Sequence, residues 1–292
     1  MLGDALRLQY GGAVAGILHY GSCLRTGDVS DGLADLYLIV DGYRSVYGRS
    51  PRALFNWLLP PSVFYLEVPL PQGHLRAKYA ILSLPQLERG TRYWLQPYLW
   101  GRFAQPVALV SARDDAAAEA LLAALGQAVD TFVKATLPML PSRFSARDLW
   151  EQGLTLSYAT ELRAERANRQ AELFESDRVY YSDLTASALA RSRLPVRRRG
   201  DGLDAIYIAA ISGTRRRLGR AVWSLRKVQG RLLHLLRLLK GLFTFTDGVD
   251  YILWKLERHS GIRVEASERV RRHPLIFGWG LLWRLYRRGA FR

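Results

Sequence analysis

The chain reads as an α/β protein in which a sheet-forming core precedes a helical domain and a basic, amphipathic C-terminal region. Strand-like apolar runs alternate with helical ones up to about residue 115, and an Ala- and Leu-rich amphipathic pattern covers 114–137. From residue 191 onward arginines gather beside apolar and aromatic residues. The boundaries this predicts are 1–115, 116–190 and 191–292.

The first strand-like run, 13–20, ends at Gly21-Ser22. A residue without a side chain lets backbone N–H groups approach phosphate oxygens, and the Ser22 hydroxyl adds a further hydrogen-bonding group. A loop rich in Gly and Asp then leads to Asp35-Leu36-Tyr37-Leu38-Ile39-Val40, a buried strand with Asp35 at its beginning. A carboxylate in that position can hold Mg²⁺ against a triphosphate. Asp41 lies on the same strand face, but six residues at about 3.3 Å each put it about 20 Å away, too far to share one ion. Asp28, Asp31 and Glu67 are the alternatives for a second metal ligand.

Further along, 51–58 and 85–95 read as helices, and 63–70, 77–83 and 107–111 as strands. Lys78 in one of these strands carries a compact charge on a long stem, suited to a phosphate chain or, without function, to an exposed strand position. Arg102, after Gly101, suits phosphate binding or a helix end. Ser145 followed by Asp148 forms a capping-box pattern opening a helix through about Leu156. The stretch 190–200, with Arg191, Arg193, Pro195 and Arg197-Arg198-Arg199, reads as a linker or hinge. Beyond Arg215-Arg216-Arg217, the run 232–240 fits a cationic amphipathic helix. The run 275–283, followed by Arg284 and Arg287-Arg288, fits either core packing or the headgroup boundary of an anionic membrane.

Composition narrows the classes. The 292 residues are 49% hydrophobic, which excludes a wholly disordered chain. Forty-two basic residues against 26 acidic give a formal charge of +16 and a pI near 10.3, pointing to a phosphate-bearing partner. The single cysteine, Cys23, allows no intramolecular disulfide and no cysteine cluster for zinc, and suggests a reducing compartment. No Cys-His-Asp pattern surrounds it. Asp4 and Arg7 interrupt the N-terminus, and the Gly-Ser turn comes early, so neither a secretory signal nor a transit peptide is expected. No run of about twenty apolar residues is present, so no transmembrane helix is expected.

Several segments agree in order with one family. Tyr20-Gly21-Ser22, Asp35 through Asp41, Val63-Phe64-Tyr65 and Leu75 through Ser83 are followed by Gly101-Arg102 with Pro106-Val107. Leu137-Pro138-Met139-Leu140-Pro141, Phe144-Ser145, Asp148-Leu149 and Leu156-Ser157-Tyr158 complete the series. In these blocks, roughly 18–165, the chain resembles the Tam41-type phosphatidate cytidylyltransferases. It departs from them at Cys23, where the family usually has Gly, and in a shortened segment between Asp41 and Val63.

The resemblance implies a nucleotidyltransferase (polymerase-β-like) core with a mixed sheet, and transfer of CMP from CTP to phosphatidic acid. Within that implication Asp35 and Lys78 are catalytic, Asp35 holds Mg²⁺, and Gly21, Ser22 and Arg102 bind the nucleotide. It also implies a cytoplasmic protein peripheral on the inner face of the cell membrane, with an anionic membrane surface as partner and no nucleic acid. A transferase with another nucleotide or acceptor, and a non-catalytic membrane- or nucleic-acid-binding protein on a transferase core, are the competing readings.

Overall fold

A computed structural model describes residues 1–27, 33–71, 74–161, 169–192, 194–244, 266–272 and 277–287. It is an α/β structure that divides into two compact units. The first comprises residues 1–83, 108–111 and 236–292, and the second 84–107 and 112–235.

The first unit is built on a five-stranded sheet of order β3-β4-β2-β1-β5. The strands are β1 (Val14–Tyr20), β2 (Leu33–Val40), β3 (Ser62–Pro69), β4 (His74–Ser83) and β5 (Val107–Ala112). The β1–β2 and β3–β4 pairs are antiparallel, while β2–β4 is parallel, giving the expected mixed sheet. A parallel pair needs a crossover. Here the chain crosses through α3 (Tyr43–Tyr47), α4 (Pro51–Leu58) and β3. Alternation sorts the side chains of the sheet onto two faces. On one of them Ile17, Ala34, Leu36, Leu38, Val40, Ala77, Tyr79 and Ile81 form a buried core with Leu6 of α1 (Leu2–Tyr10), Tyr43 and Ala53. Each fully buried Leu or Ile contributes about 1.5–3 kcal/mol.

In the second unit, α5 (Leu84–Tyr93), α6 (Trp100–Phe103), α8 (Ala146–Tyr158) and α10 (Arg178–Arg191) pack on α7 (Asp115–Thr136). Asp114 caps α7 by accepting a bond from the Ala117 amide at 2.8 Å. The segment Asp115–Met139 is long and apolar enough, at mean hydropathy 1.3, for a membrane span by length and composition. Its Leu121, Ala128, Phe132 and Val133 are buried in the unit instead, with Phe132 stacked on Trp150 at 4.6 Å. The capping box is present in both directions: the Ser145 amide donates to Asp148 and the Asp148 amide to Ser145 Oγ.

Three expectations are revised. The stretch after Gly21-Ser22 opens as a short helix, α2 (Ser22–Thr26), rather than as loop. The expected linker at 190–200 contains a strand, β7 (Val196–Arg199), in a sheet of order β6-β8-β7 with β6 (Arg143–Ser145) and β8 (Ile206–Ala209). Tyr207 of β8 is buried and stacks on Phe144 of β6, which anchors this small sheet. Residues 84–107 belong to the helical unit, because α5 and α6 bury their apolar faces on α7.

The basic run 232–240 is helical, as expected, within α11 (Gly213–Thr244), but its cations turn inward. In the first unit Arg237 Nε donates to the Pro60 carbonyl at 2.9 Å. Lys240 Nζ donates to Leu59 O at 2.5 Å, Pro61 O at 2.9 Å and Ser62 Oγ at 3.2 Å. These acceptors follow the end of α4, whose terminal carbonyls lack helical partners. Leu232 and Leu235 are exposed.

Candidate active site

Strand register builds the site. Asp35 of β2 pairs with Tyr20 on one side and with Lys78 of β4 on the other, and Lys78 pairs in turn with Tyr65 of β3. Partners in one row project from the same face, so Tyr20, Asp35, Lys78 and Tyr65 line up across four strands opposite the apolar core. Two residues along, Arg76 and Glu67 form the neighbouring pair on that face. Asp35 and Lys78 are half-buried. Farther along the same face Leu18, Tyr37, Ile39 and Leu82 are fully buried, so the polar row sits at one end of an otherwise apolar surface.

Gly21 closes the end of the row. Its φ of 93° and ψ of −163° lie in a region essentially reserved for glycine. A Cβ added there would stand 2.8 Å from Asp35 Oδ2 and 3.3 Å from Asp35 Cβ. The turn therefore presents bare backbone to the carboxylate. Ser22 begins α2 and is exposed, and Cys23 is buried with its thiol donating to Leu33 O at 3.2 Å, tying α2 to the start of β2. That burial gives Cys23 a structural place.

Beside the row, charged and polar side chains bond to one another. Glu67 accepts from Tyr65 Oη at 2.8 Å and from Arg76 Nη2 at 3.4 Å. Burial and the hydrogen bond to Glu67 push the Tyr65 phenol pKa up, so Tyr65 stays protonated. His19 is half-buried, and burial lowers its pKa while the Asp35 charge opposes that shift. Among the described residues no three His, Cys, Asp or Glu side chains gather as a metal-binding group. A single carboxylate such as Asp35 is a donor set compatible with magnesium, an ion that usually keeps several waters and binds through one or two carboxylates.

Gly21, Ser22, Asp35 and Lys78 thus belong to one unit. Arg102 belongs to the second unit, where Glu161 pairs with it at 3.3 Å and its guanidinium lies 4.6 Å from the Tyr98 ring centroid. Gly101 lets α6 approach α8: an added Cβ would run into Ser157 Oγ. Tyr158 Oη donates to Gln105 Oε1 at 3.0 Å beside this contact. The sequence blocks Gly101-Arg102 and Leu156-Ser157-Tyr158 therefore meet in the fold. Of the candidate second ligands, Glu67 is engaged by Tyr65 and Arg76, and Asp28 and Asp31 lie outside the described residues. The residues that sequence reasoning passed over are Tyr20, Tyr65 and Arg76. The two-residue spacing of Arg76 with Lys78, and of Tyr65 with Glu67, is the signal that marks Arg76 and Tyr65, while Tyr20 is placed only by its register with Asp35.

Comparison with known proteins agrees with the resemblance. The model of the Tam41 family, described as mitochondrial phosphatidate cytidylyltransferase, matches residues 57–173, which include Lys78 and Arg102 and begin after Asp35. Proteins named mitochondrial phosphatidate cytidylyltransferase are similar in sequence. The Bos taurus protein is 29% identical over 133 residues, covering 44% of this chain and 38% of its own length. The Xenopus laevis protein is 34% identical over 86 residues, 30% of this chain and 25% of its own. The Homo sapiens protein is 32% identical over 101 residues, 35% of this chain and 22% of its own. The chain thus spans less than two-fifths of the length of these relatives. A crystal structure of a nucleotidyltransferase-like protein from Exiguobacterium sibiricum aligns over 99% of this chain and 92% of its own, at 12% identity and a TM-score of 0.26. A likeness of that size carries no functional information.

Proposed function

We propose that the chain is a nucleotidyltransferase of the phosphatidate cytidylyltransferase type, transferring CMP from CTP to phosphatidic acid with release of pyrophosphate. The observation that carries this reading is the placement of Asp35 between Gly21 and Lys78 at one end of the sheet face. The backbone at Gly21 and Ser22 receives the β- and γ-phosphates, and Lys78 takes up charge on the departing pyrophosphate. Asp35 is the residue that would hold Mg²⁺. Bound there, Mg²⁺ would neutralise charge along the triphosphate.

In the reaction an oxygen of the phosphatidate phosphate bonds to the α-phosphorus of CTP as the bond to the bridging oxygen of the β-phosphate breaks. The acceptor phosphate is already ionised at pH 7, so the residues need only position the partners and stabilise charge. Phosphatidic acid resides in membranes, and the exposed Trp279 and Trp283 beside Arg284 and Arg287 suit an anionic headgroup boundary. A peripheral placement on the inner face of the cell membrane is part of this proposal.

The test is pyrophosphate release with Mg²⁺ and phosphatidate liposomes, offering each of the four nucleoside triphosphates in turn, with Asp35→Asn as control. Release with CTP alone, dependent on the lipid and reduced at least about 10²-fold in the variant, is the expected result. Release with another nucleotide or without lipid moves the substrate; none under any condition favours a binding protein.

A further inference from the structure

The second unit contains a cleft of about 490 Å³, within the range that holds metabolite-sized ligands. Among the described residues three cations line it: Lys134 of α7, Arg191 of α10 and Arg215 of α11. The one carboxylate in the cleft, Asp130, is already engaged by Arg191 at 3.3 Å. Among the described residues, neither Lys134 nor the Arg215 guanidinium has an acidic partner. Ser192 and Leu194 complete the lining, above the buried Val133 and Ala188.

Helix ends account for two of these charges and not for the third. Lys134 and Arg191 lie in the last turns of their helices, where a cation offsets the negative end of the helix dipole. Arg215 stands in the first turn of α11, a helix with no acidic residue in that turn. A cation there opposes the positive end of the dipole, and an anion is what such an end stabilises. Arg216 beside it is used by the fold, donating to the Leu140 carbonyl and to Ser142 Oγ. Among the described residues the Arg215 guanidinium has no such structural use.

We propose that this cleft binds a phosphate monoester, with the phosphate between Lys134 and Arg215 and the ester carbon toward Leu194. Three cations around one opening suit a phosphate. A lipid headgroup and a small soluble phosphate share that chemistry. The assignment is independent of the transferase reading, since every residue it uses lies in the second unit.

The test uses the full chain with ¹³C-labelled Ala, Val and Leu methyls, at constant ionic strength. It is titrated with inorganic phosphate, with glycerol 3-phosphate and with dihexanoyl phosphatidate below its micelle concentration. Saturable shifts at Val133, Ala188 and Leu194 are expected, with the midpoint at least tenfold weaker in the double variant Lys134→Gln, Arg215→Gln. These side chains are exposed, so the thermal unfolding midpoint of the variant should match that of the parent. A tighter midpoint for the lipid than for inorganic phosphate assigns the site to a headgroup, and equal midpoints assign it to a soluble phosphate. Absence of saturable shifts at these three methyls, or an unchanged midpoint in the folded double variant, overturns the proposal whatever the enzymatic result.

Discussion

Replacing Gly21 by alanine separates the stability of the site from its chemistry. Two costs are legible at that position. The backbone, at φ 93° and ψ −163°, is one that an L-residue reaches only at about 1–3 kcal/mol. The added Cβ would also stand 2.8 Å from Asp35 Oδ2, nearer than real Cβ contacts come, so the carboxylate must swing away. Gly48 provides the control, with φ 62°, ψ −152° and nothing within 4 Å of an added Cβ. Gly48→Ala should carry the backbone cost alone. Gly48→Ala is thus expected to lose about 1–3 kcal/mol in urea unfolding, and Gly21→Ala at least as much. Because a displacement of about 1 Å in a positioning group costs about 10²-fold in rate, only Gly21→Ala should lose turnover on that scale in pyrophosphate release. Equal activity in the two variants would refute the claim that Gly21 is present to seat the Asp35 carboxylate.

Lys78→Met keeps the length of the side chain and removes its charge. It should lower pyrophosphate release about 10²-fold with little change in unfolding midpoint, and an undiminished rate would remove Lys78 from the chemistry. Gly101→Ala forces a Cβ onto Ser157 Oγ and should cost about 1–3 kcal/mol by overpacking. Ser157→Gly in the same chain should restore most of it, and additivity in that double-mutant cycle would show that α6 and α8 do not meet there. Lys240 sets a pH dependence: burial, reinforced by Arg237, lowers its pKa from 10.5 to about 7. Between about pH 7 and 10.5 the unfolded chain binds the proton that the folded chain has released, so this residue makes stability rise with pH, by up to about 1.4 kcal/mol per unit. Urea midpoints across that range should show a shallower rise in Lys240→Met, and parallel curves would refute it.

Much of the local structure was legible because local rules decide it. The Asp114 cap, the Ser145 and Asp148 pair and the Ala-rich face of α7 are contained within a few residues, and each behaves as its pattern predicts. The strand carrying Asp35 was legible for the same reason, since a run of apolar β-formers permits little else. What escaped depends on partners distant in sequence. Arg197-Arg198-Arg199 resembles a solvated linker and becomes an edge strand because β8, with Tyr207 against Phe144, offers it a pairing partner. The same holds for Lys240, whose basic sequence context suggests solvent and whose acceptors are carbonyls after α4. In the candidate site Gly21, Asp35 and Lys78 could be nominated singly. Their shared row follows from the parallel β2–β4 register, which no spacing reports.

That register has a consequence for how errors in folding are expressed. If β4 slid by one residue against β2, Lys78 would turn to the side now filled by Ala77, Tyr79 and Ile81, and those residues would face outward. An unpartnered ammonium among buried aliphatic side chains is costly, so a chain with a misaligned site would also be a chain without a core. Quality control that senses exposed hydrophobic surface would then remove chains with a misaligned row without any means of sensing the row itself. A population of this protein would accordingly contain molecules with the row intact and unfolded ones, with few that are well folded and misaligned.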